Sequence, residues 1–249
     1  MSASSSPTVL IQPIRGAENA LELTAQVHGE HQELVKGLTA DERLALHQYA
    51  MGSHEYINAH LRGEEVEEEY LSRALQRIAL MDGIFERTES KERLTYKYIE
   101  ARRLSSASED RDVVLSELAS ASTFHNREFM STSSSVDYPL FILHSERHKH
   151  PNYILLEVHS RKGISLQQEE TPFPGDIQSL ETEILLPRNT NFRVTSVNPQ
   201  RKVLMGDFQD TLLRHGGRIG GFGWEYAPIT KEFRSRKYFR VPVVTLQQI

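Results

Sequence analysis

Through the first third of the chain, apolar residues recur every three or four positions, the spacing of one face of a helix. LTADERLALHQYA opens on Thr39 and has Glu42 three residues on, the spacing of a capping box in which each side chain satisfies the other's backbone N–H. Gly52 and Ser53 break the pattern, and HEYINAHLRG resumes it until Gly63. Between Glu67 and Arg87, Leu71, Ala74, Leu75, Ile78 and Phe85 fall at helical spacing, with Gly83 near the end. The acidic start EEVEEEY suits the positive end of a helix dipole. From Leu94 the period changes: LTYKYIE alternates as a strand does, and a short helical segment follows near Asp112–Ala119. REFMST, YPLFIL, YILLEV, ETEILLP, NFRVTSV and KYFRVPVVTL then read as strands, separated by Pro and Gly clusters such as TPFPGD and HGGRIGGFG. Helices first and strands afterwards predict an α+β fold with a mainly antiparallel sheet. The expected organisation is a disordered or extended segment over 1–20 and one domain over 21–249. Its helical part covers about 21–90 and its β part about 91–249.

Composition narrows this little. The chain has 249 residues, 38% of them hydrophobic and 25% charged, which describes an ordinary globular protein. No apolar run approaches the roughly 18 residues of a membrane span. The net charge of −5 argues against nucleic acid as a partner, and zero cysteines exclude disulfides, thiolate metal sites and a Cys nucleophile. The start, MSASSSPTV, lacks the apolar centre of a Sec signal; it reads as a disordered end or as a polar, uncleaved export signal.

Several clusters carry weak chemistry. HSERHKH offers His144, His148 and His150, but no Cys or spaced carboxylate completes a metal site, and none is expected. HGGRIGGFGWEY lacks the Lys-Ser/Thr ending of a phosphate loop. Arg87, Lys91, Arg93, Lys97, Arg102 and Arg103, mixed with Tyr96 and Tyr98, read equally as a site for a phosphate-bearing ligand and as charges defending a strand edge. Two signals are stronger. EFMSTSSS puts Ser131 and Ser133 on one face of a strand end and Thr132 on the other. In SLETEILLPRNTNFRV, period two puts Glu181 and Glu183 on one face, roughly 6.5–7 Å apart, with Ile184 and Leu186 opposite. Like charges this close need a cation or a donor among them.

Taken together, these segments resemble the mono-ADP-ribosyltransferases of the R-S-E class in their bacterial toxin and effector form, named for an Arg, a Ser-Thr-Ser and a Glu-x-Glu. YAMGSHEYINAHLRG looks like their helical segment, EFMSTSSS like their Ser-Thr-Ser strand, and ETEILLPRNTNFRV like their Glu-x-Glu strand and its successor. The resemblance implies a helical lobe on a two-sheet β core with NAD in the cleft as co-substrate, and transfer of ADP-ribose to a protein side chain. Glu183 would stabilise the oxocarbenium-like sugar, Ser131 would hold Glu183, and Ser131, Thr132, Ser133, Tyr96 and Lys97 would border NAD. Glu181 in the first position of Glu-x-Glu is the arginine-specific pattern, and Phe173 in the loop 171–180 would contact the acceptor. The partner implied is a host protein with an acceptor arginine, reached by Sec-independent, type III secretion, with neither nucleic acid nor membrane involved. The overall look is nearest to plant-pathogen effectors of the XopAI and HopO kind. The departure is Tyr96-Lys97 where the family has an aromatic residue followed by Arg. It motivates an alternative, a catalytically weak or inactive transferase fold that binds a target protein in the cleft.

Overall fold

The computed structural model describes residues 12–105, 108–144, 152–166, 182–206 and 238–249. Glu181, Phe173, the loop 171–180, His148, His150 and the glycine-rich stretch 215–226 lie outside the described residues. Helices α1 (Ala20–Lys36), α2 (Ala40–Gln48), α3 (His54–Arg62) and α4 (Glu68–Arg87) come first. Local chemistry sets their ends. Asn19 caps α1 by accepting from Glu22 N at 3.1 Å. The box before α2 is formed, with Glu42 N donating to Thr39 Oγ1 at 3.3 Å and Thr39 N donating to Glu42 Oε2 at 2.9 Å. Between α2 and α3 runs a wide π-turn, Tyr49–Ser53, which ends through Gly52 at φ 123°. α3 stops at Gly63, whose φ of 84° is the left-handed conformation that terminates helices.

The strands are β1 (Ile14–Arg15), β2 (Arg93–Glu100), β3 (Thr123–Asn126), β4 (Met130–Ser133), β5 (Tyr153–Ser160), β6 (Ile164–Ser165), β7 (Glu183–Leu186), β8 (Thr190–Leu204) and β9 (Tyr238–Gln248). They lie in the order β1-β8-β9-β5-β2-β4-β7-β6, with β3 also on β8. The β1·β8 and β5·β9 pairs are parallel and the others antiparallel. β2 pairs with β5 along its whole length but meets β4 at one position, Tyr96 with Ser133. The two sheets implied by the resemblance are therefore one curled ladder with a narrow joint, and the site lies at that joint.

Buried apolar clusters hold the halves together. One, with Leu46, Tyr49, Ile57, Met81 and Ile84 from the helices, takes in Phe129, Ile164 and Leu185 from the sheet. Its centre is Phe129, 1% exposed, stacked on Phe85 at 5.8 Å and edge-on to Tyr49 at 5.9 Å. A second, with Leu115, Ile154, Leu156, Ile184 and Leu186, fills the other face of β7. Arg188, in the turn after β7, forks onto Asp82 of α4 at 2.6–3.0 Å.

One expected strand is a helix. YPLFIL lies in α6 (Asp137–His144), which follows α5 (Arg111–Ser120). An apolar run of this length suits either state, and tertiary contacts decide it. The Asp137 carboxylate accepts from Ala17 N at 2.9 Å, Gly206 N at 2.8 Å and Ser135 Oγ at 2.9 Å, pinning the start of α6. Pro139 falls in the first turn, where a missing N–H costs no helical bond. Leu140 and Phe141 then pack beside Tyr96, Leu155 and Val241.

Candidate active site

Antiparallel pairing sets Ser133 opposite Glu183 and Ser131 opposite Leu185. Paired residues share a face, so Ser131, Ser133, Glu183 and Leu185 look toward the helical lobe, while Thr132, Ile184 and Leu186 look away. The Ser131 hydroxyl lies near enough to the Glu183 carboxylate to favour its ionised form. Thr132 and Ser133 spend their hydroxyls inside the protein: Thr132 Oγ1 donates to Ile184 O at 2.7 Å, and Ser133 Oγ lies 3.0 Å from Thr182 Oγ1. They tie β4 to β7 and offer no free hydroxyl to a ligand.

Just ahead of Glu183 the backbone turns sharply. Thr182 has φ 46°, uncommon for a β-branched residue, and its carbonyl accepts from Ser134 N at 3.0 Å. Alternation needs extended backbone at every step, so the period-two argument that put Glu181 beside Glu183 does not carry back through Thr182. The strand begins at Glu183 itself.

The facing wall comes from the π-turn and α3. Asn58 Nδ2 donates to Tyr49 Oη at 3.1 Å and to Phe129 O at 3.4 Å, stapling this wall to the residue before β4. His54 Nδ1 donates to the Tyr49 carbonyl at 3.1 Å, which leaves Nε2 as the open ring nitrogen. Arg62 bridges Glu128 and Glu64. Burial pushes the Tyr49 phenol up, with the charges of Glu183 and Glu128 adding to it.

Glu183 keeps some solvent contact within a dense protein surround. Burial raises its carboxyl above the ordinary range; the Ser131 hydroxyl and the charges of His54 and Lys97 pull the other way without cancelling it. Burial likewise lowers the Lys97 ammonium, with Glu128 and Glu183 opposing and Arg103 reinforcing. Lys97 Nζ donates to Ser131 O at 2.9 Å, supplying from a side chain a donor that the single β2–β4 pair does not extend to.

Tyr96, which the resemblance sets beside NAD, is buried. It is 6% exposed and packs in the core with Leu140 and Phe141 of α6 and Leu155 of β5. Of the other nearby cations, Arg93 pairs with Glu30 at 2.8 Å and Arg102 with Glu100 at 2.5 Å. Arg103 is exposed, lies within electrostatic range of Lys97 and Glu64, and makes no hydrogen bond or ion pair among the described residues. Tyr49, His54 and Asn58 were legible only as members of a helical motif, with no role attached. Among the described residues no group of three His, Asp or Glu could hold a metal ion, and no helix is long and apolar enough to cross a membrane.

Residues 27–211 match the model of the ADP-ribosyltransferase exoenzyme family. Among solved structures, Vis toxin, an ADP-ribosyltransferase from Vibrio splendidus, is 16% identical, with TM-score 0.54, over 96% of this chain and 88% of that one. Vis in complex with agmatine matches at 15% identity and TM-score 0.51, over 96% and 88%. Plx2a, an ADP-ribosyltransferase toxin from Paenibacillus larvae, is 14% identical with TM-score 0.54, over 92% and 96%. The ADP-ribosylating toxin BECa of C. perfringens, solved with NADH, is 12% identical with TM-score 0.59; this chain covers 50% of its length and 95% of its own. These identities speak for the fold alone. No curated protein matches this sequence.

Proposed function

Because this chain belongs to the ADP-ribosyltransferase exoenzyme family, we propose that it cleaves NAD at the nicotinamide–ribose bond and passes ADP-ribose to an arginine of a host protein. The observation that carries this reading is the Glu183 carboxylate, beside the Ser131 hydroxyl at the joint of the curled sheet and faced by the π-turn and α3. Breaking the glycosidic bond develops positive charge on the ribose, and a fixed carboxylate beside it lowers that barrier. Ser131, His54 and Lys97 favour the ionised form that this role needs. Nicotinamide leaves with the bonding pair, and the acceptor nitrogen forms the new bond to C1 of the ribose. The proton that the nitrogen loses passes to a base, a role suited to Glu181.

Two features support the finer points. Glu181 supplies a carboxylate able to pair with a guanidinium, and the complex of Vis with agmatine, a small guanidine, puts such a group on a protein of this fold. With one Lys97 N–H committed to Ser131 O, Arg103 is the cation best suited to meet the diphosphate of NAD.

The test is nicotinamide release and transfer of labelled ADP-ribose from NAD to agmatine and to an Arg-rich protein. Glu183→Gln is expected to lose at least about a hundredfold in rate, the scale of removing one transition-state electrostatic contact. Equal labelling by wild type and Glu183→Gln would sink the mechanism. A second reading is a silent transferase fold that binds a target protein; Lys97 in place of the expected Arg favours it. No calorimetric heat with millimolar NAD would decide for that reading.

A further inference from the structure

Among the described residues, the strand that carries Glu183 is held on its outer side by one short strand. β6 has two residues, pairs through Ile164 with Leu185 and Ser165 with Ile184, and ends the strand order. The next residue, Leu166, donates its N–H to the Glu183 carbonyl at 3.0 Å. On the inner side Glu183 pairs with Ser133, and before it stands left-handed Thr182. A two-residue edge strand has too few ladder bonds to stay in register by itself.

The missing restraint comes from α1. Ser165 is 2% exposed, and its hydroxyl and its carbonyl are both taken by neighbours on that helix. Its hydroxyl donates to Glu30 Oε2 at 2.9 Å, and its carbonyl accepts from His31 Nδ1 at 2.9 Å. His31 is 3% exposed, and its other ring nitrogen is buried without a partner, so the ring makes one polar contact and makes it here. Glu30 reaches back across the sheet: its carboxylate also takes Arg93 of β2 at 2.8 Å and Lys91 at 2.5 Å. Arg93 starts the strand that carries Lys97, so one carboxylate ties both ends of the β2-β4-β7-β6 ribbon. These contacts lie behind the site, on the face of β7 that bears Ile184 rather than Glu183.

We infer that Glu30 and His31 are positioning residues for Glu183: they lock Ser165, and through β6 and the Leu166 amide they fix where the reactive strand begins. The inference rests on the reading of Glu183 given above, and its first test does not need activity. Native-state hydrogen exchange of the Leu166 amide is measured in wild type, Glu30→Gln, Ser165→Ala and Lys91→Ala. In Glu30→Gln and Ser165→Ala, Leu166 is expected to exchange about tenfold faster, the scale of losing one hydrogen bond to a charged group. The Leu156 amide in β5 should stay protected, and Lys91→Ala, which removes only an exposed contact of Glu30, should leave Leu166 unchanged. Leu166 exchange that stays at the wild-type rate, or that rises only in step with Leu156, overturns the inference. The second readout is NAD cleavage, where Glu30→Gln should lower kcat with KM for NAD held within about twofold. If wild type cleaves no NAD the functional reading fails, while the exchange result still decides on the lock.

Discussion

Replacing Lys97 by Met removes an ammonium of nearly the same length from the joint of the sheet. Two effects on stability oppose each other. The hydrogen bond to Ser131 O, at 2.9 Å and from a charged donor, contributes about 1.5–3 kcal/mol. Holding an ammonium in this surround costs a comparable amount, which is why burial lowers Lys97. The net change is expected to be within about 1 kcal/mol, a Tm shift of a few degrees. Catalysis has no such offset. The Ser131 carbonyl is left unpaired beside the hydroxyl that favours the Glu183 carboxylate, and the carboxylate loses a nearby cation. A loss of 1.4–2.8 kcal/mol of transition-state stabilisation, about ten- to a hundredfold in kcat, follows. The pH dependence moves as well. Burial already raises Glu183, and Lys97 opposes that rise, so without Lys97 the carboxyl titrates higher still and the acid limb of kcat moves to higher pH. The assay is the initial rate of nicotinamide release across pH and NAD concentration, beside Arg103→Ala, for which KM for NAD should rise about tenfold while kcat stays near wild type. If Lys97→Met instead raises KM tenfold with kcat and the acid limb unmoved, Lys97 is a ligand of NAD and the bracing account is wrong.

Glu30 should govern acid stability. Burial pushes its carboxyl up, but hydrogen bonds from Lys91, Arg93 and Ser165 outweigh that and bring it from 4.5 to about 2. A depressed carboxyl contributes stability above its unfolded value and loses it as pH falls from about 4.5 toward 2. At 22% side-chain exposure this is at most about 3 kcal/mol. Urea unfolding should therefore find Glu30→Gln less stable than wild type at pH 7, with the gap closing near pH 2; a gap that is the same at both pH values contradicts the assignment. Phe129→Ala empties the centre of the lobe interface, where the ring is 1% exposed and meets two aromatic neighbours. It should cost about 3–5 kcal/mol and lower Tm by roughly 10 °C in calorimetry. A change under about 1 kcal/mol would mean the lobes do not depend on this contact.

Local chemistry was legible in the sequence. The Thr39–Glu42 box, the break at Gly52 and the stop at Gly63 all form as their residue types predict, since capping and left-handed φ depend on a few adjacent atoms. Period two in LTYKYIE and the apolar run of EILLP identify β2 and β7. YPLFIL reads as a strand in sequence because a short apolar run carries no period that separates helix from strand; Asp137, bonded to Ala17 and Gly206 far along the chain, anchors it as a helix.

What the sequence determined by itself is thus the set of elements whose signals are local, together with the two motifs on which the family resemblance rests. Tertiary structure alone decided which side chains reach the site. Packing against α6 takes Tyr96 into the core, the Ser131 carbonyl draws Lys97 to the joint, Glu30 pairs with Arg93, and the kink at Thr182 makes Glu183 the first residue of its strand. The physical reason is distance along the chain: each of these outcomes depends on a partner dozens of residues away, and no periodicity within one segment records which partner will be there.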